Sequence, residues 1–264
     1  MKRLFPIMVL LAQPAFANPD DVVVDATLLQ GWTTDSGSRM AAFSVTLAPG
    51  WKTYWRSPGD AGIPPLFDWS ASENLASVRY HWTTPEVFRT AGYLSIGYHD
   101  AMMLPLEVTA VDPGQPVVLR ATVDMGVCKD VCLPASVTVD TVLTAPGGNN
   151  PAIKAALRAR PQAADAAGVG RVTCAVDPTD DGLQVTAVIE MPAQGGDETV
   201  VFESGIADVW ASEAVSSRSG NVLTAAARFV PPSGAPFALD RSGVVLTVIG
   251  DEGQAVEIRG CPAG

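Results

Sequence analysis

The chain is poor in the side chains that usually carry catalysis. Its 264 residues hold two histidines and four cysteines, with no Cys-x-x-Cys. There is no Gly-rich phosphate loop, no nucleophile elbow and no carboxylate pair of distinctive spacing, so phosphoryl transfer and hydrolysis have no motif to rest on. Paired cysteines and two unclustered histidines also miss the usual zinc spacing. Positive charge is scarce as well. Seventeen Lys and Arg against 28 Asp and Glu give a net charge of −11, and no basic stripe breaks the imbalance. That argues against nucleic acid as a partner. Beyond the first residues no apolar run approaches the ~20 residues that cross a bilayer. Val244 to Ile249 is typical of the longest.

The amino terminus is the exception. Lys2 and Arg3 precede the apolar run Leu4 to Ala12, and Ala15-Phe16-Ala17 has the small-x-small form of a cleavage site. Residues 1–17 therefore read as a secretory signal, and the expected product is soluble, exported and free of membrane segments. Cleavage would remove Lys2 and Arg3, taking the charge from −11 to about −13 and leaving about 247 residues. That length holds one large domain or two ordinary ones. Export also places the cysteines where disulfides persist.

What the chain has in abundance is short alternating runs. Met40 to Ala48 alternates around Phe43, Val45 and Leu47, while Val78, Tyr80 and Trp82 share one face. Leu104, Leu106, Val108 and Ala110 repeat the rhythm, as do Val117, Leu119, Ala121 and Val123. Turn steps at Pro49-Gly50, Pro58-Gly59, Pro64-Pro65 and Pro113-Gly114 punctuate them. This series predicts an antiparallel sandwich over 18–145. A break follows from Pro146 to Asn149. Asn150 is placed to cap a short helix with Pro151 at its first position, Ile153, Ala156 and Leu157 on one face, and Pro161 as its stop. Residues 146–168 thus read as a linker. Alternation resumes in Leu183 to Glu190, Val222 to Phe229 and Val244 to Ile249, predicting a second, smaller β-domain over 169–264. Five of six Trp and all four Tyr precede residue 100, so the two halves differ chemically.

The cysteines divide into unlike pairs. By the chain-entropy relation, a bridge over the five residues from Cys128 to Cys132 is worth about 2 kcal/mol, against roughly 4.6 kcal/mol over the 88 residues from Cys174 to Cys261. A bridge wanted only for stability would not be built at Cys128 and Cys132. The spacing therefore points to one working pair and one structural pair, Cys174–Cys261, which would pin the last strand against the first. A tight hairpin staple is the competing reading of the first pair, and two spare thiols that of the second. Cys128 follows the strand Val117–Met125 and Cys132 precedes Val137–Leu143, which puts the pair in a hairpin connection. Extended chain would hold their α-carbons about 13 Å apart, and a bridge needs about 4.4–6.8 Å, so the segment must turn between Gly126 and Pro134. Lys129 favours a thiolate at Cys128 and Asp130 opposes it. Which cysteine attacks first stays open.

Three motifs in order carry a family resemblance. Gly50-Trp-Lys-Thr-Tyr-Trp-Arg-Ser-Pro-Gly-Asp60, Ile63-Pro-Pro-Leu-Phe-Asp-Trp69 and Cys128-Lys-Asp-Val-Cys-Leu-Pro134 resemble the amino-terminal periplasmic domain of DsbD-type thiol:disulfide interchange proteins, in the suppressor-of-copper-sensitivity-like branch. The resemblance covers roughly residues 20–145. It implies an immunoglobulin-like sandwich whose cysteine pair cycles between dithiol and disulfide, the catalytic residues being Cys128 and Cys132. It also implies a thioredoxin-like or membrane thiol reductase as electron donor and oxidised periplasmic proteins as acceptors. The redox-active disulfide would be the only cofactor. The expected fold class is all-β, two immunoglobulin-like antiparallel sandwiches joined by a short helical linker.

The remaining motif residues have two readings each. Tyr54 and Trp55, with Trp51, Trp69 and Trp82, either shield the dithiol and form a docking face or fill the sandwich core. The loop Ser57 to Pro65 is either a flap over the pair or an ordinary connection. By analogy Asp60 and Arg56 would orient thiol protons, and Lys129 would tune Cys128. His81 reads as a solvated strand residue. His99 with Met102 and Met103 invites a Cu(I) site, although Met102 and Met103 fall on opposite faces of a strand. Three functions compete: a redox relay, a Cu(I) carrier using the same cysteine pair, and a passive binding module with two structural bridges.

Overall fold

The computed structural model describes residues 22–90 and 92–264, so the expected signal, 1–17, lies outside the described residues. The first half contains β1 (Val23–Thr33), β2 (Arg39–Leu47), β3 (Lys52–Tyr54), β4 (Leu66–Asp68), β5 (Leu75–Tyr80), β6 (Glu86–Thr90), β7 (Tyr93–His99), β8 (Ala101–Ala110), β9 (Val117–Cys128) and β10 (Cys132–Leu143). They form two antiparallel sheets, ordered β1-β2-β8-β5 and β10-β9-β3-β7-β6, with β4 also on β9. The period of two explains the layering. Met102, Leu104, Leu106 and Val108 of β8 and Val117, Leu119, Ala121 and Val123 of β9 are all buried in one apolar cluster between the sheets. Burying each such Leu or Val fully is worth about 1.5–3 kcal/mol. One charge is buried with them: Arg39 sends Nη1 to Leu143 O at 3.0 Å and Nη2 to Pro113 O and Gln115 O at 3.1 and 2.6 Å. Three carbonyl acceptors make that burial tolerable.

Helix α1 (Pro151–Arg158) is capped as its sequence predicts, Asn150 Oδ1 accepting from Ala152 N and Ile153 N. Buried Ile153 packs with Met40 and Ala42 on the outer face of the first sheet. The expected linker is therefore shared between the halves. Its helix belongs with the first sandwich, while β11 (Gln162–Ala163) pairs parallel with a strand of the second.

That second half contains β12 (Val172–Pro178), β13 (Leu183–Glu190), β14 (Thr199–Glu203), β15 (Trp210–Ala211), β16 (Val215–Ser219), β17 (Val222–Val230), β18 (Val245–Ile249) and β19 (Ala255–Arg259). Its sheets run β11-β19-β18-β14 and β12-β13-β17-β15, with β16 also on β17. The bridge Cys174–Cys261 joins β12 to the residue pair after β19, so it ties the two sheets together. It fastens β12, the first strand of the 169–264 region, to the segment that follows the last strand, and Cys174 N donates to Pro262 O at 2.7 Å beside it. Val201, Ile249 and Ala255 of the second sandwich join the apolar cluster of the first. Arg89 Nη1 also reaches Glu213 Oε1 at 2.8 Å between them. The protein is all-β, with immunoglobulin-like antiparallel sandwiches. No helix among the described residues is long and apolar enough to cross a membrane.

Candidate functional site

Strands β9 and β10 form a hairpin in which Cys128 and Cys132 are cross-strand partners. The strands run right up to the cysteines, further than the expected limits at Met125 and Val137. Three residues, Lys129 to Val131, make the turn, closed by Lys129 N donating to Val131 O at 3.0 Å. The turn brings the α-carbons to 4.1 Å, and the two cysteines are bridged. Their exposure is opposite. Cys128 is 1% exposed, whereas Cys132 is an exposed residue at the hairpin tip.

Tyr54 supplies the polar contact to the pair. It ends β3, which sits between β9 and β7 and sets Lys52 opposite both Cys128 and His99. Its hydroxyl donates to Cys128 Sγ at 2.8 Å and lies 3.5 Å from Cys132 Sγ. Burial raises the Tyr54 pKa, so the phenol stays protonated and remains a donor. Thr53, fully buried, fixes the same strand by donating from Oγ1 to Gly126 O at 3.0 Å.

The loop Ser57–Pro65 lies against this phenol. A Cβ added at Gly126 would stand 2.8 Å from Ile63 Cβ and 3.2 Å from Tyr54 Cε2. One added at Gly62 would stand 2.7 Å from Tyr54 Cδ1. These glycines let loop and ring close on β9. Pro58 O accepts from Ile96 N at 2.9 Å and tethers the loop's start. Val131, next to Cys132 in the turn, is 56% exposed, and Ile63, against Gly126, is 47% exposed.

Other candidates are placed elsewhere. Lys129 Nζ donates to Pro49 O at 3.2 Å, across the hairpin tip. Arg56 turns to Glu203 and Glu257 of the second sandwich, not to the sulfurs. There Glu203 and Glu257 offset the burial that opposes its charge, and its pKa stands above the ordinary value. Asp60 is exposed and faces Glu213. Partial desolvation first, then the Glu213 charge, raise its pKa. Trp55 is fully buried. Trp69 Nε1 donates to Tyr80 OH at 2.7 Å, and Trp51, Trp69 and Trp82 are partly buried and pack against the first core.

His81 is not solvated as expected. Its side chain is 15% exposed and lies 3.2 Å from Glu107 Oε2, with Arg160 Nη1 3.1 Å from its other nitrogen. His99 pairs with Glu86 at 2.9 Å. Met102 is inside the sandwich while Met103 faces Ile153, so the expected His99–Met102–Met103 copper cluster is not assembled. Among the described residues no group of three or more His, Cys, Asp or Glu is arranged to hold a metal. Thr53, Glu203 and Glu257 escaped the sequence reading, and Gly126 entered it only as one end of the turn, not as the place where loop and ring close on β9. For Thr53 the signal lay inside the first motif, and for Gly126 in a glycine within an otherwise regular strand.

Chemically, this arrangement offers one cysteine exposed at the hairpin tip, one buried on a phenolic donor, and a loop packed against the donor. Residues 21–144 match the family model described as thiol:disulfide interchange protein DsbD, N-terminal. Among solved structures, the crystal structure of the N-terminal periplasmic domain of ScsB from Proteus mirabilis matches at a TM-score of 0.64 and 22% identity, over 90% of this chain and 92% of that one. At that identity the likeness establishes the fold, and its extent takes in both sandwiches. Among curated proteins none matches the chain.

Proposed function

We propose, from the premise that residues 21–144 belong to the family of DsbD amino-terminal domains, that Cys128 and Cys132 relay electron pairs between proteins. The donor is a thioredoxin-like or membrane thiol reductase, and the acceptors are oxidised proteins of the same compartment. That compartment is the periplasm, the setting named for the ScsB domain. The buried bridge Cys174–Cys261 accords with an oxidising location.

One observation carries this reading: the exposed Cys132 and the buried Cys128 held on Tyr54. A donor thiolate attacks Cys132 Sγ, the bridge breaks, and Cys128 leaves as a thiolate facing the Tyr54 hydroxyl. The donor's second thiolate then attacks the donor's own sulfur in the mixed disulfide and releases Cys132. The donor ends as a disulfide and this pair as a dithiol, two electrons and two protons richer. In the forward step the Cys132 thiolate attacks an acceptor disulfide. Cys128 then attacks Cys132 Sγ, restoring the bridge and releasing the acceptor reduced. Accessibility supports first contact at Cys132, and Lys129 Nζ, which donates to Pro49 O at 3.2 Å, stands across the hairpin tip.

The test is a redox titration of the full chain, counting thiols by alkylation and mass at each poised potential. Cys128–Cys132 is expected to reduce between about −120 and −270 mV, with Cys174–Cys261 resisting below about −300 mV. If both resisted, the two bridges would be staples and the binding-module reading would replace this one.

A further inference from the structure

Arg56 occupies a junction that the exchange steps do not use. It follows Tyr54 by two residues and immediately precedes the loop Ser57–Pro65. Its guanidinium lies over the Trp55 ring, 4.2 Å from the centroid. Nε and Nη2 form a fork on Glu203 at 2.8 and 2.9 Å, and Nη2 also meets Glu257 Oε2 at 2.8 Å. Glu203 ends β14 and Glu257 lies in β19, the strands on either side of β18. A planar fork with a third bond and a stacked ring fixes direction as well as distance, which an ammonium would not do. The second sandwich thus grips the backbone between the phenol on Cys128 and the loop beside it.

The loop is tied to β7 at Pro58 and Gly59 but is open on one side beyond them. Its inner side rests on Tyr54 and Gly126 through Gly62 and Ile63. On the other side, Pro58, Asp60 and Gly62 line a cavity of about 660 Å³ whose far wall includes Ile206, Trp210 and Glu213 of the second sandwich. The loop therefore has room to leave Tyr54 by moving toward the second sandwich, and its root is held by that sandwich's carboxylates.

We infer that Arg56 is a positioning residue through which the second sandwich sets how closely the loop Ser57–Pro65 closes on Tyr54 beside the Cys128–Cys132 pair, and so how readily a thiol lines up on the bridge. The inference rests on the exchange reading above and gives the second sandwich a role in it. Because the clamp's contacts, to Trp55, Glu203 and Glu257, include neither sulfur, it governs rates in both directions and leaves the potential in place.

The experiment compares the full chain with the double variant Glu203→Gln/Glu257→Gln and with Arg56→Lys. Dithiothreitol reduces each under pseudo-first-order conditions, and alkylation with mass analysis follows both bridges separately. The double variant is expected to reduce Cys128–Cys132 about tenfold faster, as a minor loop-open population grows. Its potential should be unchanged and Cys174–Cys261 should stay oxidised in the same sample. Arg56→Lys, keeping the charge without the fork, should fall between the two. Cys174–Cys261 opening in step with the first pair would mean unfolding rather than release of the loop, and would overturn the inference. So would variant rates equal to those of the unaltered chain, even with a lowered melting temperature. An unaltered chain whose Cys128–Cys132 pair resists reduction altogether would overturn the exchange reading as well, so the two failures are distinguishable.

Discussion

The phenol of Tyr54 reaches both sulfurs of the bridge but favours the buried one, at 2.8 Å from Cys128 Sγ against 3.5 Å from Cys132 Sγ. On reduction the acceptor at Cys128 becomes a thiolate, and a hydrogen bond to a charged group is worth about 1.5–3 kcal/mol against about 1 for a neutral one. The phenol therefore stabilises the reduced state more than the oxidised state. Tyr54→Phe should make the potential more negative by roughly 10–40 mV, given that 30 mV corresponds to about 1.4 kcal/mol for two electrons. Reduction by a small thiol should slow in parallel, because the leaving group is poorer. The titration is to be run above the thiol pKa, where the charged acceptor exists. An unmoved potential would reduce Tyr54 to a packing role.

The exposure difference predicts unequal single-cysteine variants. Cys128→Ser leaves the accessible Cys132 and should accumulate a mixed disulfide with a reductase or a model disulfide, visible on non-reducing electrophoresis. Cys132→Ser leaves a thiol that is 1% exposed in the bridged form and should alkylate much more slowly. Each should abolish turnover. Each should also leave the melting temperature within a few degrees, since a sequence separation of 4 confines little chain. Equal trapping by both variants would count against the assignment of Cys132 as the point of entry.

The second bridge should behave in the opposite way. Cys174 and Cys261 are buried and separated by 87 residues, so opening their bridge frees a long loop in the unfolded chain. Cys174→Ser should destabilise the second sandwich by up to about 4.6 kcal/mol. Calorimetry would register this as an earlier transition. The potential of Cys128–Cys132 should not move, and its shifting with this variant would mean that the two bridges are not chemically separate.

The sequence was legible where a period or a turn residue left a local mark. The alternation of Leu104, Leu106 and Val108 placed β8 and its buried face, and Asn150-Pro151 placed the start of α1. Cys128 and Cys132 were legible because their spacing is too small for a stabilising bridge. The partners of Arg56 were not, because Glu203 and Glu257 lie 147 and 201 residues away and look like any solvated strand carboxylates. His81 failed for a related reason. Its burial comes from Glu107 on a neighbouring strand and Arg160 beyond α1, contacts that no local rhythm announces.

That same cluster sets a pH dependence whose sign decides between two pictures of His81. Desolvation first, with the charges of Arg160 and Arg79, lowers its pKa below the ordinary 6.5, and the bond and charge of Glu107 only partly oppose this. Between the folded value and 6.5 the unfolded chain binds more protons, so this contribution to stability is complete above 6.5 and is lost as pH falls below it. Glu107, held below 4.5 chiefly by its bond from Ser38, adds a second loss in the same direction as pH falls through its depressed value. The first sandwich should therefore melt at progressively lower temperature on mild acidification, and His81→Gln should remove the upper part of that slope. Were the ion pair with Glu107 dominant instead, the His81 pKa would be raised and stability would increase on acidification toward it. Melting curves of the two proteins across this range separate the pictures, and a rise in the unaltered chain would overturn the burial account.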